Sequence, residues 1–517
     1  MRGRALALLS IGILAAARPA GAQLAVDNLL DLQAGNQPDV PPSNRTSTYD
    51  QFNAQFTTDR LRFGARFEAN RNNADVLTYN EFTQRWAEFS DTHLKVRAGN
   101  TYTILGRGLL QRAFELPGVV LDQPGFDSRY GFSRDVDGTL IDADWGPLAV
   151  RGIEGRPNSG ETSPSVEKTY DIPRYSGELI GGQATATVWR GARLGAAYTR
   201  FDADANTRHE YASVSADLDP MRLFDVSSVS LPLYVEAAHQ SPSWTSLFDF
   251  PSVDTDRSPR ALYLGSNLLA GPFALAAEWK DYTRFRLGYN DPPSLVREQS
   301  FTLLNRTTHV LDADDERGYQ IEASVRIAPL GVVTVNQSRA DGLLSPSQPP
   351  RRYNESYAEI HLTPRGAPAL EATLFVDGGK DEFVGIEKRD GYGGTATVRM
   401  PRRLSATLDL EYLDEQRPPD HFHDEYASIA IQHAVYGTVA LVLQRTTDPA
   451  EEKPADVATP GIQPRDFVSG LLSVPISAAN TVSLFVGQRR EGLACTAGTC
   501  YRVEAFQGVE FRLTSRF

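Results

Sequence analysis

Side chains that could perform catalysis are few in this sequence of 517 residues. His421 and His423 lie in the stretch DHFHDE, where two imidazoles beside carboxylates could bind a transition metal. The stretch follows Pro418-Pro419 in a predicted external loop and implies no distant third ligand, so we favour a solvated loop over a metal site. The sequence contains no G-x-S-x-G elbow, no Walker loop and no H-E-x-x-H motif. We therefore predict no enzymatic activity, no cofactor and no metal, with a hydrolase built from Ser and His on adjacent strands as a remaining alternative.

Basic side chains offer a different chemistry, the selection of solutes by charge. Arg107 and Arg112 lie in residues 97–122, where glycines interrupt an apolar and basic run. This run is too apolar for a loop standing in water, so we expect residues 103–134 to fold into a lumen, with residues 284–317 as the next candidate. The two arginines could then meet carboxylates such as Glu68 or Asp142 in a charged constriction. The alternative is that the stretch is a strand with a glycine kink.

A second group of basic residues lies on the predicted inward faces of the early strands. Such a ladder could attract anionic solutes. It could equally pair with acids on adjacent strands and brace the wall, and we favour bracing. The members of the group are Arg60, Arg62, Arg66, Lys95 and Arg97.

In the segments that must position these side chains, apolar and polar residues alternate with a period of two. In residues 404–412, Leu, Ala, Leu, Leu and Tyr lie on one face, opposite Ser, Thr, Asp and Glu. Residues 60–70, 319–327 and 370–377 repeat the pattern. Strict alternation predicts half-buried β-strands, which occur both in soluble sandwiches and in transmembrane barrels.

The connections between the strands favour a barrel. Short turns such as WGP (145–147) and MPRR (400–403) alternate along the chain with long polar connections such as 156–177 and 446–466. Short turns on one side and long loops on the other are typical of outer-membrane barrels, whose short turns face the periplasm. We predict one antiparallel up-and-down barrel of about 24 strands, with 22 as the next choice, in which residues 25–34 supply the first strand.

The N-terminus predicts export. Residues 1–22 combine Arg2 and Arg4 with an apolar run and the small residues Ala20-Gly21-Ala22, which is typical of a cleaved signal peptide. Residues 23–517 would then form the barrel in the bacterial outer membrane. Three of the 52 basic residues lie in the signal segment, which leaves 49 against 65 acidic ones, and this balance argues against a nucleic-acid partner.

The C-terminal strand, residues 508–517, carries a pattern similar to the signal that the barrel-assembly machinery of outer membranes reads. Gly508, Phe511 and Leu513 match the glycine, aromatic and hydrophobic positions, and the chain ends on Phe517. We therefore expect this machinery and the lipid and lipopolysaccharide of the outer membrane as partners.

The only two cysteines, Cys495 and Cys500, lie in the predicted loop before the last strand. In an oxidising compartment a local disulfide is favoured. A metal pair and two free thiols remain alternatives.

The motif Gly99-Asn100-x-Tyr102, Gly106-Arg107-Gly108-Leu109, Arg112 and then Asp137-Gly138 resembles a porin-like family of bacterial outer-membrane barrels, a domain of unknown function. The resemblance implies the fold and the membrane and carries no site residue. Together these features predict a channel for passive or facilitated diffusion of small solutes. The alternative functions are a closed barrel with a structural, assembly or surface-binding role, and a barrel-embedded hydrolase.

Overall fold

A computed structural model shows the architecture of the chain. It describes residues 22–36, 44–73, 78–116, 120–123, 126–128, 134–159, 174–203, 208–241, 259–285, 287–295, 297–310, 315–342, 350–451, 465–496 and 499–517. The expected signal peptide lies almost wholly outside these residues. No helix among them is long and apolar enough to cross a membrane.

Twenty-four antiparallel strands form one closed barrel, as predicted. Each strand pairs with the next one along the chain, and the last pairs with the first. The strands are β1 Gln23–Asn36, β2 Asn44–Thr57, β3 Leu61–Asn72, β4 Tyr79–Ser90, β5 Leu94–Thr101, β6 Val136–Asp144, β7 Leu148–Pro157, β8 Glu178–Trp189, β9 Ala192–Asp202, β10 Arg208–Leu218, β11 Leu233–Ser241, β12 Arg260–Ala270, β13 Phe273–Thr283, β14 Asp315–Ile327, β15 Gly331–Gly342, β16 Arg352–Leu362, β17 Leu370–Asp381, β18 Ile386–Met400, β19 Leu404–Arg417, β20 Asp420–His433, β21 Gly437–Thr446, β22 Arg465–Pro475, β23 Asn480–Arg489 and β24 Phe506–Arg516.

The barrel closes where β24 meets β1. The two strands pair from Asp27↔Arg516 to Asn36↔Gln507. Val26 and the C-terminal Phe517 exchange two backbone hydrogen bonds, of 3.1 and 2.7 Å. Closure leaves no open sheet edge, which a barrel in lipid requires because hydrocarbon offers no partner for an unpaired backbone group.

The two faces of the wall differ as the alternation predicts. In β19, Leu408 and Leu410 point outward and are 45% and 49% exposed, whereas Glu411 and Glu415 point inward and are buried. In β24, Val509 is exposed on the outside and Glu510 is buried inside. An apolar outer face with a polar inner face is the pattern of a transmembrane barrel, so the outer face is the lipid-facing one.

The two ends of the barrel also differ, and we name them the turn end and the loop end. The first strand begins and the last strand ends at the turn end, where nearly all connections are short. The longest connection at the turn end, residues 219–232, contains helix α1 (Pro220–Leu223) and the short strand Val229–Ser230, which pairs with β12. The loop end carries the long connections, together with short ones such as residues 382–385 and Pro418-Pro419. The loop end also carries the short hairpins Ile104–Leu105 with Gln111–Arg112, Leu121–Gln123 with Phe126–Ser128 and Gly492–Thr496 with Thr499–Val503, the helix α2 (Thr302–Arg306) and the 3-10 turn Pro449–Glu451.

The stretch DHFHDE is not the loop that we predicted. It begins β20, which joins β19 through Pro418-Pro419 alone and pairs with it from Leu404↔His433 to Arg417↔Asp420. The prediction was wrong because this hairpin continues as a paired ribbon whose outer residues are polar, so they resemble a loop in sequence. His421 contacts Asp414 across the ribbon at 2.9 Å. Among the described residues, no group of three or more His, Cys, Asp or Glu could hold a metal ion.

Candidate functional site in the lumen

Residues 102–116, here called the first inner segment, leave the wall after β5 and lie inside the barrel. Leu105, Leu109 and Leu110 are fully buried in an apolar cluster with inward side chains of β6 to β13, among them Tyr211 and Tyr263. Burial of three leucines contributes on the order of several kcal/mol, which holds the segment in the lumen. Residues 102–116 are therefore folded inward, and the alternative of a kinked wall strand does not apply to them.

The tip of this segment is a turn at Gly106-Arg107-Gly108, and a buried carboxylate of the wall contacts it. Glu236 of β11 is fully buried, and its carboxylate accepts the backbone N–H of Arg107 at 3.0 Å. The same carboxylate accepts the hydroxyls of Ser213 at 2.9 Å and Tyr234 at 2.6 Å. Three donors satisfy its oxygens, which a buried carboxylate requires.

Glycine is needed at position 106 for two reasons. Its φ of +59° lies in the left-handed region. In addition, a Cβ atom there would lie 2.4 Å from Oε2 of Glu236. The glycine therefore allows the backbone to approach the carboxylate, while the next residue, Arg107, presents an exposed side chain whose guanidinium lies 5.0 Å from the Tyr234 ring centre.

Residues 284–310, here called the second inner segment, join the first. The side-chain amide of Asn290 donates to the carbonyls of Gly108 and Leu109, both at 3.0 Å, and accepts the N–H of Arg112 at 2.6 Å. The Tyr289 hydroxyl donates to the Leu110 carbonyl at 3.0 Å. One amide side chain thus ties three backbone groups of the first segment to the second.

Helix α2 anchors the far part of the second inner segment to the opposite wall. Glu411 accepts the N–H groups of Thr302 at 2.9 Å and Leu303 at 2.7 Å. Buried Arg389 donates to both oxygens of Thr307, each at 2.9 Å, while it pairs with acids of the wall. Phe301, Leu303 and Leu304 add an apolar cluster with Tyr357, Phe375 and Leu413.

His309 is a further buried anchor. Its ring nitrogens lie 2.9 Å from Asp381 and 3.4 Å from Glu316. Burial by itself would lower the pKa of His309, but the hydrogen bonds and charges of Asp381 and Glu316 raise it to about 9. The imidazolium that donates to both carboxylates is therefore the form at neutral pH.

The two cysteines join in a disulfide, which links the strands of the hairpin 492–503. Asn305 of the second inner segment exchanges hydrogen bonds with the backbone of Cys495, at 2.7 and 3.0 Å. Tyr501 packs near Phe114 and Leu116 of the first inner segment. The disulfide hairpin therefore contacts both inner segments.

The structure brings four of the predicted basic residues to two acids. Arg62, Lys95 and Arg97 lie 3.3, 3.5 and 3.5 Å from the single carboxylate of Glu88. Arg66 pairs with Glu115 of the first inner segment at 2.6 Å. Arg97 also lies over the Trp86 ring at 4.0 Å. The basic ladder is thus braced by acids, although three cations share Glu88.

Arg107 and Arg112 do not meet the carboxylates that we named for them. Tyr49, Tyr79 and Thr83 donate to Glu68, and Arg151 pairs with Asp142. Arg112 lies over the Phe114 ring at 5.1 Å, and burial lowers its pKa. The two arginines are separated because Arg107 lies at the tip of the turn and Arg112 at its return strand.

An open cavity of about 650 Å³ lies between the Arg107 turn and the turn end of the barrel. Arg107, Tyr234 and Gln183 line it on the side of the turn, and Lys95, Arg151 and Arg193 line its wall. On this side of the barrel the lumen is therefore open and charged between the first inner segment and the turn end.

Sequence reasoning missed the residues that hold the inner segments, chiefly Glu236, Asn290, His309 and Glu411. Alternation places Glu236 and Glu411 on the inner face, which is a usable signal. It does not indicate which inward carboxylate meets a segment more than a hundred residues away.

No protein-family model matches the chain, and no curated protein matches it. Among solved structures, the siderophore receptor PirA from Pseudomonas aeruginosa is 13% identical, covers 97% of this chain and 81% of its own, and has a TM-score of 0.44. The P pilus usher (PapC) translocation pore is 9% identical over 96% of this chain and 99% of its own, with a TM-score of 0.46. Pseudomonas aeruginosa OccK5 (OpdH) is 11% identical over 76% and 98%, with a TM-score of 0.38. At these values no function is transferred, and the family resemblance of the glycine motif stays a prediction.

Proposed function

We propose that the protein is a porin-like channel of the bacterial outer membrane, through which small solutes diffuse passively. One observation carries the proposal: a charged cavity of about 650 Å³ lies inside a closed barrel with an apolar outer face. A barrel of more than about 20 strands is wide enough to leak unless something narrows it. The two inner segments are the elements that narrow it in this proposal.

In this mechanism the turn end faces the periplasm and the loop end faces the outside. Lipid and lipopolysaccharide surround the outer face, and the barrel-assembly machinery inserts the chain by its C-terminal strand. Solutes pass the ring of inner segments by diffusion and are filtered by size and by the charges of the inner wall. No catalytic step and no cofactor take part.

A closed barrel with a structural or surface-binding role is the second candidate. The observation that favours it is the extent of the apolar clusters that hold both inner segments to the wall. In that case the segments would seal the lumen and the disulfide hairpin would remain available outside.

Single-channel recording in a planar bilayer separates the two candidates. We expect the refolded residues 23–517 to give steady conductance steps, and replacement of residues 104–111 by a short Gly-Ser linker to give larger steps. Heat-modifiable migration in gels serves as the control for folding. Folded protein that stays silent, while the linker variant conducts, would contradict the channel and favour the closed barrel.

A further inference from the structure

The lining of the cavity below the Arg107 turn carries four carboxylates and four cations, which are paired to different degrees. Its acidic lining residues have partners of their own: Asp91 lies 3.8 Å from Arg60, Arg151 pairs with Asp142, and Arg193 lies 2.8 Å from Asp217. The carboxylate of Asp144 accepts the N–H of Gly146 at 2.8 Å, at the mouth of the cavity. Three of these acids lie within salt-bridge distance of an arginine, and Asp144 accepts a neutral donor. Any excess of positive charge is therefore local to Lys95 and Arg107 and is not a property of the whole cavity.

Two cations of the lining are not matched in this way. Lys95 shares the carboxylate of Glu88 with Arg62 and Arg97, so this cluster carries more positive than negative charge. For Arg107, no carboxylate of the described residues lies within salt-bridge distance of the guanidinium. Lys95 and Arg62 keep 42% and 44% of their side chains exposed, so the excess positive charge faces water in the lumen.

The turn is built so that Arg107 must present its side chain to this space. The carboxylate of Glu236 accepts a hydrogen bond from the backbone N–H of Arg107, and the side chain of Gln183 accepts one from the N–H of Gly106 at 3.1 Å. Glu236 lies under the turn with its oxygens occupied, and Tyr234 lies beneath the guanidinium. The guanidinium therefore has a fixed base and an open front, with its planar set of donors available.

We propose that this cavity is a recognition site for small solutes that carry a carboxylate, with Arg107 as the binding group and Lys95 as a supporting charge. A guanidinium binds a carboxylate through two parallel hydrogen bonds, which a spherical anion cannot form. The proposal rests on the proposed function, because it names the solute class that the channel favours. The experiments that test this proposal measure charge and binding in the cavity and do not require the barrel to conduct.

A reporter thiol measures the charge of the cavity directly. Thr185 lines the cavity, and the native cysteines are joined in a disulfide, so Thr185→Cys adds the only free thiol. We would compare its rates of reaction with an anionic and a cationic methanethiosulfonate reagent in detergent micelles. The ratio of the two rates cancels changes in the pKa of the thiol and reports the local potential.

We expect Arg107→Gln to lower the anionic-to-cationic rate ratio by roughly threefold or more, since one nearby unit charge is removed at intermediate polarity. Lys95→Gln should lower it less. Arg112→Gln is the matched control and should leave it unchanged, because Arg112 is not part of the cavity lining. An unchanged ratio in Arg107→Gln would overturn the proposal.

Acetate tests the carboxylate class. Replacing chloride by acetate at constant ionic strength should slow the anionic reagent in the Thr185→Cys protein and not in the Thr185→Cys, Arg107→Gln protein. Equal rates in acetate and chloride would overturn the preference for carboxylates. A conducting barrel with a ratio insensitive to Arg107 would contradict this inference alone, whereas a silent barrel with a sensitive ratio would contradict the channel and keep the anion site.

Discussion

At the scale of single residues, one carboxylate decides the position of the Arg107 turn. Glu236 accepts one backbone N–H from the turn and two hydroxyls from the wall. Leaving a buried donor without a partner costs about 1–3 kcal/mol. Since three donors depend on one side chain, its removal should release the turn from the wall more readily than any surface change in the segment.

We predict that Glu236→Ala raises the rate of amide hydrogen exchange in residues 103–112 by on the order of 100-fold, which corresponds to about 3 kcal/mol. Exchange followed by mass spectrometry in micelles measures it. The control is Glu278→Ala, since Glu278 accepts the hydroxyl of Tyr263 and no donor of the inner segment. Equal exchange in both variants would show that Glu236 is not needed to hold the turn.

His309 gives a second prediction, on pH. Its pKa is raised from 6.5 to about 9, so the bound imidazolium stabilises the folded state fully below pH 6.5. This stability is lost as the pH rises toward and through about 9, with a total on the order of a few kcal/mol. Lys280 lies 2.5 Å from Glu316 on its other side.

We therefore expect the thermal midpoint of the native protein to exceed that of His309→Gln at pH 6 and the difference to shrink between pH 6.5 and 10. Thermal scans of both proteins in the same detergent measure this difference, which cancels effects common to the rest of the barrel. Parallel curves across the window would contradict the role of His309 as a charged anchor.

At the scale of elements, the two inner segments form one unit through Asn290. Its amide bonds three backbone groups of the first segment from a position about 180 residues further along the chain. This link couples the order of the two segments, in addition to the contacts that each of them makes with the wall.

We predict that Asn290→Ala increases amide exchange in both inner segments together, by roughly tenfold or more. Exchange in the wall strand β15 should not change. Asn336→Ala is the matched control, because Asn336 is a buried inward amide that bonds Ser338 and Glu322 of the wall. An effect limited to residues 287–295 would contradict the coupling.

The wall elements could be predicted from the sequence, and the inner segments only in part. Lipid on one side and a polar lumen on the other impose the period of two at each strand, so residues 404–412 reveal their own environment. The apolar and glycine-rich character of residues 97–122 likewise showed a segment that does not belong to the wall. Its partners could not be predicted, because the contact between Arg107 and Glu236 depends on how β6 to β11, the strands from one residue to the other along the chain, are arranged around the barrel. The prediction of a loop around His421 was wrong for a related reason. Where both faces of a strand carry polar residues, the alternation of apolar and polar residues disappears, and the strand resembles a loop in sequence.

At the scale of the whole molecule, the barrel is stabilised by the contrast between its two faces. Leu408 and Thr407 are neighbours in β19, so they lie at nearly the same depth along the barrel axis. Leu408 is 45% exposed on the outside, whereas the Thr407 hydroxyl contacts that of Thr397 on the inner side at 2.9 Å. The same charge placed at these two positions would meet hydrocarbon in one case and the polar lumen in the other.

We expect Leu408→Arg to lower the free energy of unfolding by about 2–4 kcal/mol and Thr407→Arg by clearly less, since an arginine near the middle of the bilayer loses its hydration. Reversible denaturant titrations in lipid vesicles, read by intrinsic fluorescence, measure both. The comparison holds strand, depth and side chain constant and varies only the face. Equal losses would mean that the outer face is not in contact with lipid, and the orientation of the whole wall would have to be revised.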